Sequence, residues 1–392
     1  MKVLILHQHF RTPVAGGAIR SYYLAKSLVD RGIETVIITG TNDKMYRKEN
    51  LEGIEVHSLP IAYDNSFGFA LRSFSFLKYV RKSVLLASTI PNVDVCYAIS
   101  TPLTVGLAAL RLKKKLNLKY IFEVGDLWPD APVQMRIVKN YLFAQMLYRL
   151  ERKIYEGADS IVALSTPIKI AIEKKISRKR IHIIPNIADC DFYKPTAKNT
   201  TSERRLGTEG KFVVSYIGAL GMANGLDYFI ECANASRKAN LPVHFILSGE
   251  GAMLNHLKYS AQKLNLNNIS ITGFVNREMV KEIMSISDAA FVCYKNVPIL
   301  ETGSPNKYFD ALAAGKLIIV NFGGWIKEEI EKTQCGVSVD PHHPTDFVKK
   351  VEPFIHDHKK LEAFQRASRN LAEEKYDRRK LSDQFANIFL KR

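Results

Sequence analysis

Residues 2–39 read KVLILHQHFRTPVAGGAIRSYYLAKSLVDRGIETVIIT, and the architecture of the chain can be built outward from them. Residues 2–7 are apolar at nearly every position, as in a strand buried on both faces of a parallel sheet. Ala15-Gly16-Gly17-Ala18 punctuates the run. Residues 19–31 then take helical spacing, with Ile19, Tyr22, Leu24, Ala25 and Leu28 mostly on one stripe. Gly32 stops the helix, and residues 34–39 are the next strand. A strand, a glycine turn, a helix and a second strand make one β-α-β unit.

The same alternation continues along the chain. Strand patterns at 93–98, 119–124, 160–164 and 181–184 are separated by helical patterns at 102–116, 138–156 and 167–175. The polar stretch 196–210 reads as an interdomain linker. Beyond it come strands at 212–217, 243–247, 269–271, 289–294 and 317–320, with helices at 225–239, 253–264, 278–286 and 305–314. Residues 344–390 read as terminal helices. Such a series predicts two Rossmann-like α/β domains with parallel sheets, 1–194 and 195–375, and a terminal helix, 376–392, packing back toward the first domain. Ligands of such sheets sit at the carboxyl ends of the strands, so the cleft between the domains is the expected site.

Composition agrees with a folded two-domain chain. The 392 residues are too many for one ordinary core. A hydrophobic fraction of 46% and a mean hydropathy of −0.09 exclude a disordered chain. Five scattered cysteines without C-x-x-C spacing argue against a disulfide framework or a zinc cluster and suit a reducing cytoplasm. The apolar run at 3–6 is too short for a signal-peptide core, and no run of about 18 apolar residues suggests a membrane span. The expectation is a cytoplasmic protein able to touch a membrane from inside. The net charge is +17, and it is uneven: residues 1–190 hold 28 basic and 16 acidic residues. Nucleic acid, an anionic bilayer and phosphorylated substrates are all compatible partners for that charge.

Several stretches carry candidate chemistry. Gly16-Gly17 lets the backbone approach a phosphate at a helix start, although G-x-G-x-x-G is missing and an ordinary βα turn reads the same way. Asp126 follows a predicted strand, where a carboxylate can hold a substrate hydroxyl; Gly125 allows close approach, and Trp128 either packs or touches the acceptor. Residues 301–315, ETGSPNKYFDALAAG, say most. Ser304 suits a helix N-cap and Pro305 a first helical position. Lys307 then falls in the first turn, where the helix dipole disfavours a cation unless an anion binds, or unless the lysine is simply solvated. Glu301 and Asp310 flank this nest with acceptors suited to sugar hydroxyls. Glycine turns at Gly218–Gly225 and at Gly249-Glu250-Gly251 follow two more strands of the second half. Asp189-Cys190-Asp191 is a D-x-D string without a third ligand in view, read as structural. His9 is the histidine nearer the cleft, while His7 reads as structural. Finally, residues 71–88 interleave Phe74 and Phe76 with Arg72, Lys78, Arg81 and Lys82, a pattern for an anionic membrane surface or for a core helix with a basic outer face.

Taken together, the His7-Gln8-His9-Phe10 opening with its Gly-Gly turn and Arg20, Asp126-Leu127-Trp128-Pro129, Pro185-Asn186, Gly218…Gly225 and Ser304-Pro305-Asn306-Lys307 resemble the retaining glycosyltransferases of family 4, of GT-B fold, in their WbuB-type branch. The resemblance covers nearly the whole chain. It implies a UDP-type donor of an N-acetylated or deoxy amino sugar, held mainly by the second domain at Gly218, Asn224, Gly225, Glu250, Phe274, Val275, Ser304, Pro305, Asn306, Lys307 and Asp310, with Gly16, Gly17 and Arg20 from the first. Glu301 would touch the donor sugar and Asp310 the ribose, as the pair of an E-x7-E motif. The resemblance further implies a polyprenyl-diphosphate-linked saccharide acceptor on the first domain near Asp126 and Trp128. The product would be an O-antigen or capsule polysaccharide, made without a metal or other cofactor. This sequence departs from the pattern at three places. The second acid is Asp one residue further on, Ala219, Leu220 and Asn224 replace the usual Arg/Lys pair, and Gly125 replaces a histidine. The alternatives are a nucleotide-sugar epimerase of the same fold and a basic nucleic-acid-binding protein. Phosphate-binding signals in strand–helix turns weigh against the latter.

Overall fold

The structure, a computed structural model, describes residues 1–14, 19–64 and 67–390. The first domain runs β1 (Lys2–Leu6), α1 (Arg20–Val29), β2 (Glu34–Thr41), β3 (Arg47–Leu51), β4 (Ile54–Pro60), α2 (Phe69–Ala87), β5 (Val95–Ile99), α3 (Thr104–Leu116), β6 (Lys119–Val124), α4 (Asp130–Gln134), α5 (Tyr141–Gly157), β7 (Ser160–Ala163), α6 (Thr166–Lys175) and β8 (Ile181–Ile183). The second comprises α7 (Thr200–Leu206), β9 (Phe212–Ile217), α8 (Asp227–Lys238), β10 (Val243–Ser248), α9 (Leu254–Lys263), β11 (Ile269–Gly273), α10 (Arg277–Ile286), β12 (Ala289–Val292), α11 (Asn306–Ala313), β13 (Leu317–Val320), α12 (Trp325–Lys332), β14 (Gly336–Ser338), α13 (Pro344–His356), α14 (His358–Leu371) and α15 (Arg378–Leu390).

The first sheet has the order β3-β4-β2-β1-β5-β6-β7-β8 and the second β11-β10-β9-β12-β13-β14. Every pairing is parallel except β3 with β4. β1 sits in mid-sheet, with Leu4 opposite Val36 on one side and Cys96 on the other. Val3–Leu6 are therefore covered on both faces, which is why no polar residue interrupts them. One face of the sheet is packed by α1 and the other by α2, α3 and α5 in a common core. In each parallel crossover the helix starts at the carboxyl edge of the sheet, so the loops of both domains gather at the edges that face one another.

Several segments depart from the sequence reading: β4, α4, α12 and β14 are elements that it does not name, and two more differ in kind. The expected linker contains α7, capped by the Asn199 side chain on the Thr201 and Ser202 amides and stopped by Gly207 in left-handed backbone. Arg47–Leu51, almost wholly exposed, forms an antiparallel edge strand that the sequence reading did not anticipate.

The C-terminal helix joins the two domains. Ala188 and Tyr376–Arg378 exchange backbone hydrogen bonds of 2.8 and 3.0 Å. α15 then lies along α1, where Ser27 donates to the Ser382 carbonyl at 3.2 Å and the Phe385 ring meets Tyr97 edge-on at 4.8 Å. One apolar cluster consequently runs from Val3 and Ile5 through Ala188 to Tyr308 and Phe389. Among the described residues, no helix is long and apolar enough to cross a membrane.

Candidate active site

The second domain contributes a cradle of glycine turns around one lysine. Gly218 and Gly249 follow β9 and β10 at φ +151° and +142°. A Cβ on Gly249 would lie 1.8 Å from the Gly218 carbonyl oxygen, so only glycine lets these turns lie against each other. Lys307, in the first turn of α11, reaches back beneath them. Its Nζ donates to the Tyr216 hydroxyl at 2.7 Å and to Asn224 Oδ1 at 3.0 Å, and rides 4.3 Å from the Tyr216 ring centroid. Asn224 is oriented by its own Nδ2, which donates to the Ala219 carbonyl at 2.9 Å. A Cβ on Gly218 would come within 3.3 Å of Lys307 Cε. Among the described residues no carboxylate lies within ion-pair distance of Lys307. Burial lowers its pKa to about 8. A cation desolvated by neutral groups and open to a glycine turn is electrostatically incomplete, and an anion placed there completes it. Gly225 (φ +59°) belongs to the same turn, Glu250 is exposed on its rim, and Phe274 and Val275 stand on the loop after β11, with Phe274 exposed.

Glu301 is carried on a strap, a 3-10 turn over Pro298–Thr302. The first domain holds this strap at three points. Ile299 N donates to Gln134 Oε1 at 3.2 Å, Ser165 Oγ donates to the Thr302 carbonyl at 2.6 Å, and Asn186 Nδ2 donates to the Ser304 carbonyl. Trp325 Nε1 donates to the Gly303 carbonyl at 2.9 Å from within the second domain. The Glu301 side chain lies over Gly323-Gly324, where a Cβ at Gly323 would be 3.0 Å from Oε1. Helix α11 starts one residue later than the sequence reading had it. Pro305 is the residue before the helix and makes no side-chain cap; Ser304 Oγ accepts from Asn186 N at 3.4 Å instead of capping.

Between the domains lies a cavity of about 300 Å³, lined from the first domain by Ser100, Thr101, Gly125 and Asp126 and from the second by Tyr294, Ser304, Pro305 and Asn306. Asp126 is open to the cleft yet crowded by protein, and that desolvation raises its pKa; Thr101 Oγ1 donates to it at 3.3 Å, a contact that opposes the rise. Tyr294, which the sequence reading passed over, bridges the two sides. Its ring lies 5.6 Å from Lys307 Nζ, and burial followed by the Asp126 charge pushes its phenol up.

Several expected residues are committed to other contacts. Arg20 lines the same cavity, as His7 does, but its charge is already matched. Its guanidinium pairs with Glu123 at 3.0 Å, donates to the Ile184 carbonyl at 2.9 Å and to the Pro185 carbonyl, and is buried. Tyr97 donates to the same Glu123. Gly16 and Gly17 lie outside the described residues. Trp128 is half-buried against the first-domain core. His7 is bonded to Ser21 at 2.9 Å, and burial drops its pKa to about 4. His9 packs on Tyr63 at 4.3 Å, and burial drops its pKa to about 3. Asp189 and Asp191 are taken by arginines: Arg277 and Arg378 on the first, Arg378 and Arg379 on the second. Asp310 stands near this group, and burial, then the Asp189 charge, push its carboxyl up to about 7.

On α2, Leu71, Phe74, Leu77, Arg81 and Leu85 form an exposed stripe, with Phe74 at 66%. Lys78 and Lys82 are half-buried, and Arg72 Nε donates to the Phe67 carbonyl at 2.8 Å. Phe76 is half-buried, its ring stacked 5.7 Å from that of Tyr63.

Two facing parallel-sheet domains with the site between them are the GT-B arrangement. The structure of Anabaena Alr3699/HepE in complex with UDP and glucose superimposes with a TM-score of 0.72 over 100% of this chain and 99% of that one, at 18% identity. Residues 14–192 match the model of Glycosyltransferase Family 4, and residues 198–371 that of Glycosyl transferases group 1. The chain belongs to the family-4-type glycosyltransferases. TuaH of Bacillus subtilis (strain 168), provisionally named a teichuronic acid biosynthesis glycosyltransferase, is 26% identical over 239 residues, 60% of this chain and 58% of that protein. The UDP-Gal:alpha-D-GlcNAc-diphosphoundecaprenol alpha-1,3-galactosyltransferase of Escherichia coli is 27% identical over 207 residues, 49% of this chain and 52% of that protein. The chain thus spans little more than half the length of these two relatives.

Proposed function

We propose that this protein transfers a sugar, with retention, from a UDP-sugar to a polyprenyl-diphosphate-linked saccharide during synthesis of a bacterial surface polysaccharide. It would work at the inner face of the cytoplasmic membrane. The observation that carries the donor half is Lys307, a half-buried cation with no carboxylate among the described residues within ion-pair distance, set under the Gly218 turn. The HepE structures with UDP and with UDP-glucose support that half by fold likeness. The acceptor half draws support from the printed activity of the Escherichia coli relative and from the exposed apolar and basic stripe on α2.

In this reading the bond from the sugar C1 to the diphosphate oxygen breaks as Lys307 stabilises the developing negative charge. The acceptor hydroxyl oxygen attacks C1 from the same face, and its proton passes to the departing diphosphate. Glu301 holds the donor sugar from the strap, and Asp126 orients the acceptor hydroxyl. No protein base is required, which accommodates Gly125 where the family pattern has a histidine. The donor binds without metal, and its sugar is an N-acetylated or deoxy amino sugar.

The test is transfer from a panel of UDP-sugars to a solubilised polyprenyl-diphosphate saccharide in the presence of chelator. Glu301→Gln should fold normally and lose at least about tenfold in turnover, roughly 1.4 kcal/mol of barrier. Asp126→Asn should lose acceptor use or turnover while retaining UDP affinity. Full activity of Glu301→Gln, or loss of UDP binding as the main defect of Asp126→Asn, would contradict these roles.

A further inference from the structure

Residues 131–150 contain three cations, Arg136, Lys139 and Arg149, and no acid. Within this stretch Ile137, Tyr141, Leu142 and Met146 are exposed, Tyr141 to 73% and Leu142 to 77%. The inward face of α5 is supplied by Ala144, Ile154 and Tyr155, so these outer apolar groups are surplus to the fold. Isolated exposed hydrophobic residues are ordinary; four within ten positions, set among unopposed cations, form a patch that calls for a partner. Its position adds to this. α4 begins four residues after Asp126, and Gln134 at its end accepts from Ile299 N on the strap that carries Glu301. α5 starts, as every crossover helix here does, at the sheet edge that faces the cleft. The ridge therefore stands beside the cleft on the acceptor side.

We infer that the ridge of residues 136–149 is the element that seats the cleft on an anionic bilayer, with Tyr141 and Leu142 among the headgroups and Arg136, Lys139 and Arg149 at the lipid phosphates. The inference rests on the lipid-linked-acceptor reading and deepens it: the diphosphate of the acceptor emerges from the bilayer next to the residue that orients its sugar. Charge decides against a second copy of the chain as the occupant, because self-association here would bring two sets of like cations together. The α2 stripe belongs to the same helix layer, since α3 packs against both α2 and α5, and it supplies a second, separable contact.

The experiment is flotation of the full chain with phosphatidylcholine vesicles, with and without phosphatidylglycerol, at low and high salt. Wild type is compared with Tyr141→Ser/Leu142→Ser, with Arg136→Gln/Lys139→Gln/Arg149→Gln and with Phe74→Ser/Leu77→Ser. Stabilisation by UDP, read by thermal shift, controls for folding. Both ridge variants should lose at least about tenfold in vesicle partition with UDP stabilisation unchanged, and wild-type binding should fall with salt. A Leu142→Trp variant should show a blue-shifted emission on anionic vesicles. Ridge variants that bind like wild type while the α2 variant does not would overturn the inference and leave the lipid-linked reading standing. A wild type that ignores all vesicles also overturns it. Transfer to a detergent-solubilised acceptor then decides the broader reading separately. If light scattering finds a dimer that Tyr141→Ser/Leu142→Ser dissolves without changing vesicle binding, the ridge is an interface between copies and the membrane assignment fails.

Discussion

Arg20 and Lys307 are both cations in the first turn of a helix at the cleft, and only one of them is electrically complete. Arg20 faces the Glu123 carboxylate at 3.0 Å and two main-chain carbonyls. Lys307 faces a phenol, an amide oxygen and two aromatic rings. A buried charge balanced by its own fold is a structural element, and removing one partner leaves the other uncompensated. A half-buried charge with no counter-charge among the described residues is held ready for a ligand. The family resemblance assigned both residues to the donor; the geometry separates them.

The largest effect should come from the completed pair. Arg20→Met leaves Glu123 with the Tyr97 hydroxyl as its remaining side-chain partner and should cost about 3–5 kcal/mol of stability in denaturant titration. UDP affinity of the folded fraction should stay near wild type. A variant that keeps full stability but loses UDP would make Arg20 the phosphate cation and reverse the comparison.

A smaller effect is expected at Asp310, where the burden is an unmatched anion. With its carboxyl pushed up to about 7, the folded state holds a proton that the unfolded chain has released. Stability from this group is therefore greatest at low pH and falls as pH rises from the ordinary carboxylate range through about 7. Asp310→Asn should match wild type near pH 4 and melt about 2–4 °C higher at pH 8. An equal shift at both pH values would show that the carboxyl is not strained by its surroundings.

Much of this fold is legible in the sequence. The β/α alternation marks most strands of both sheets, though not β4 or β14, because parallel strands buried on two faces leave an uninterrupted apolar run, as in Val3–Leu6. β3 escaped because Arg47–Leu51 is a polar edge, and its turn, Glu52-Gly53, puts a non-glycine at φ +51° where Asn or Asp is the usual signal. α7 left a trace in Asn199 and Gly207, its two caps, which the polar composition masked. Lys307 was legible as a cation misplaced at a helix start. Glu123, the partner that removes Arg20 from consideration, lies 103 residues away and has no local sequence signal. The phase of α2 was also hidden. Its small serines, Ser75 and Ser83, face inward with Tyr79, which their size and polarity do not suggest, while Phe74 faces out. Tyr216, the penultimate residue of β9, and Tyr294, two residues past β12, are aromatics at strand ends, the one local signal they offer.

The most direct test of the account is calorimetric titration of UDP, with chelator present, into wild type and Lys307→Met at pH 7 and pH 9. Binding a diphosphate requires the ammonium form, and burial has brought Lys307 to about 8, so wild-type affinity should fall from pH 7 to pH 9 with proton uptake on binding. Lys307→Met should bind at least about tenfold more weakly at pH 7, in line with roughly 1.5–3 kcal/mol for a charge-assisted contact, and should lose the pH dependence while folding as well as wild type. Equal UDP affinity in the two proteins, flat across this pH range, would contradict the assignment of Lys307 as the cation that receives the leaving diphosphate.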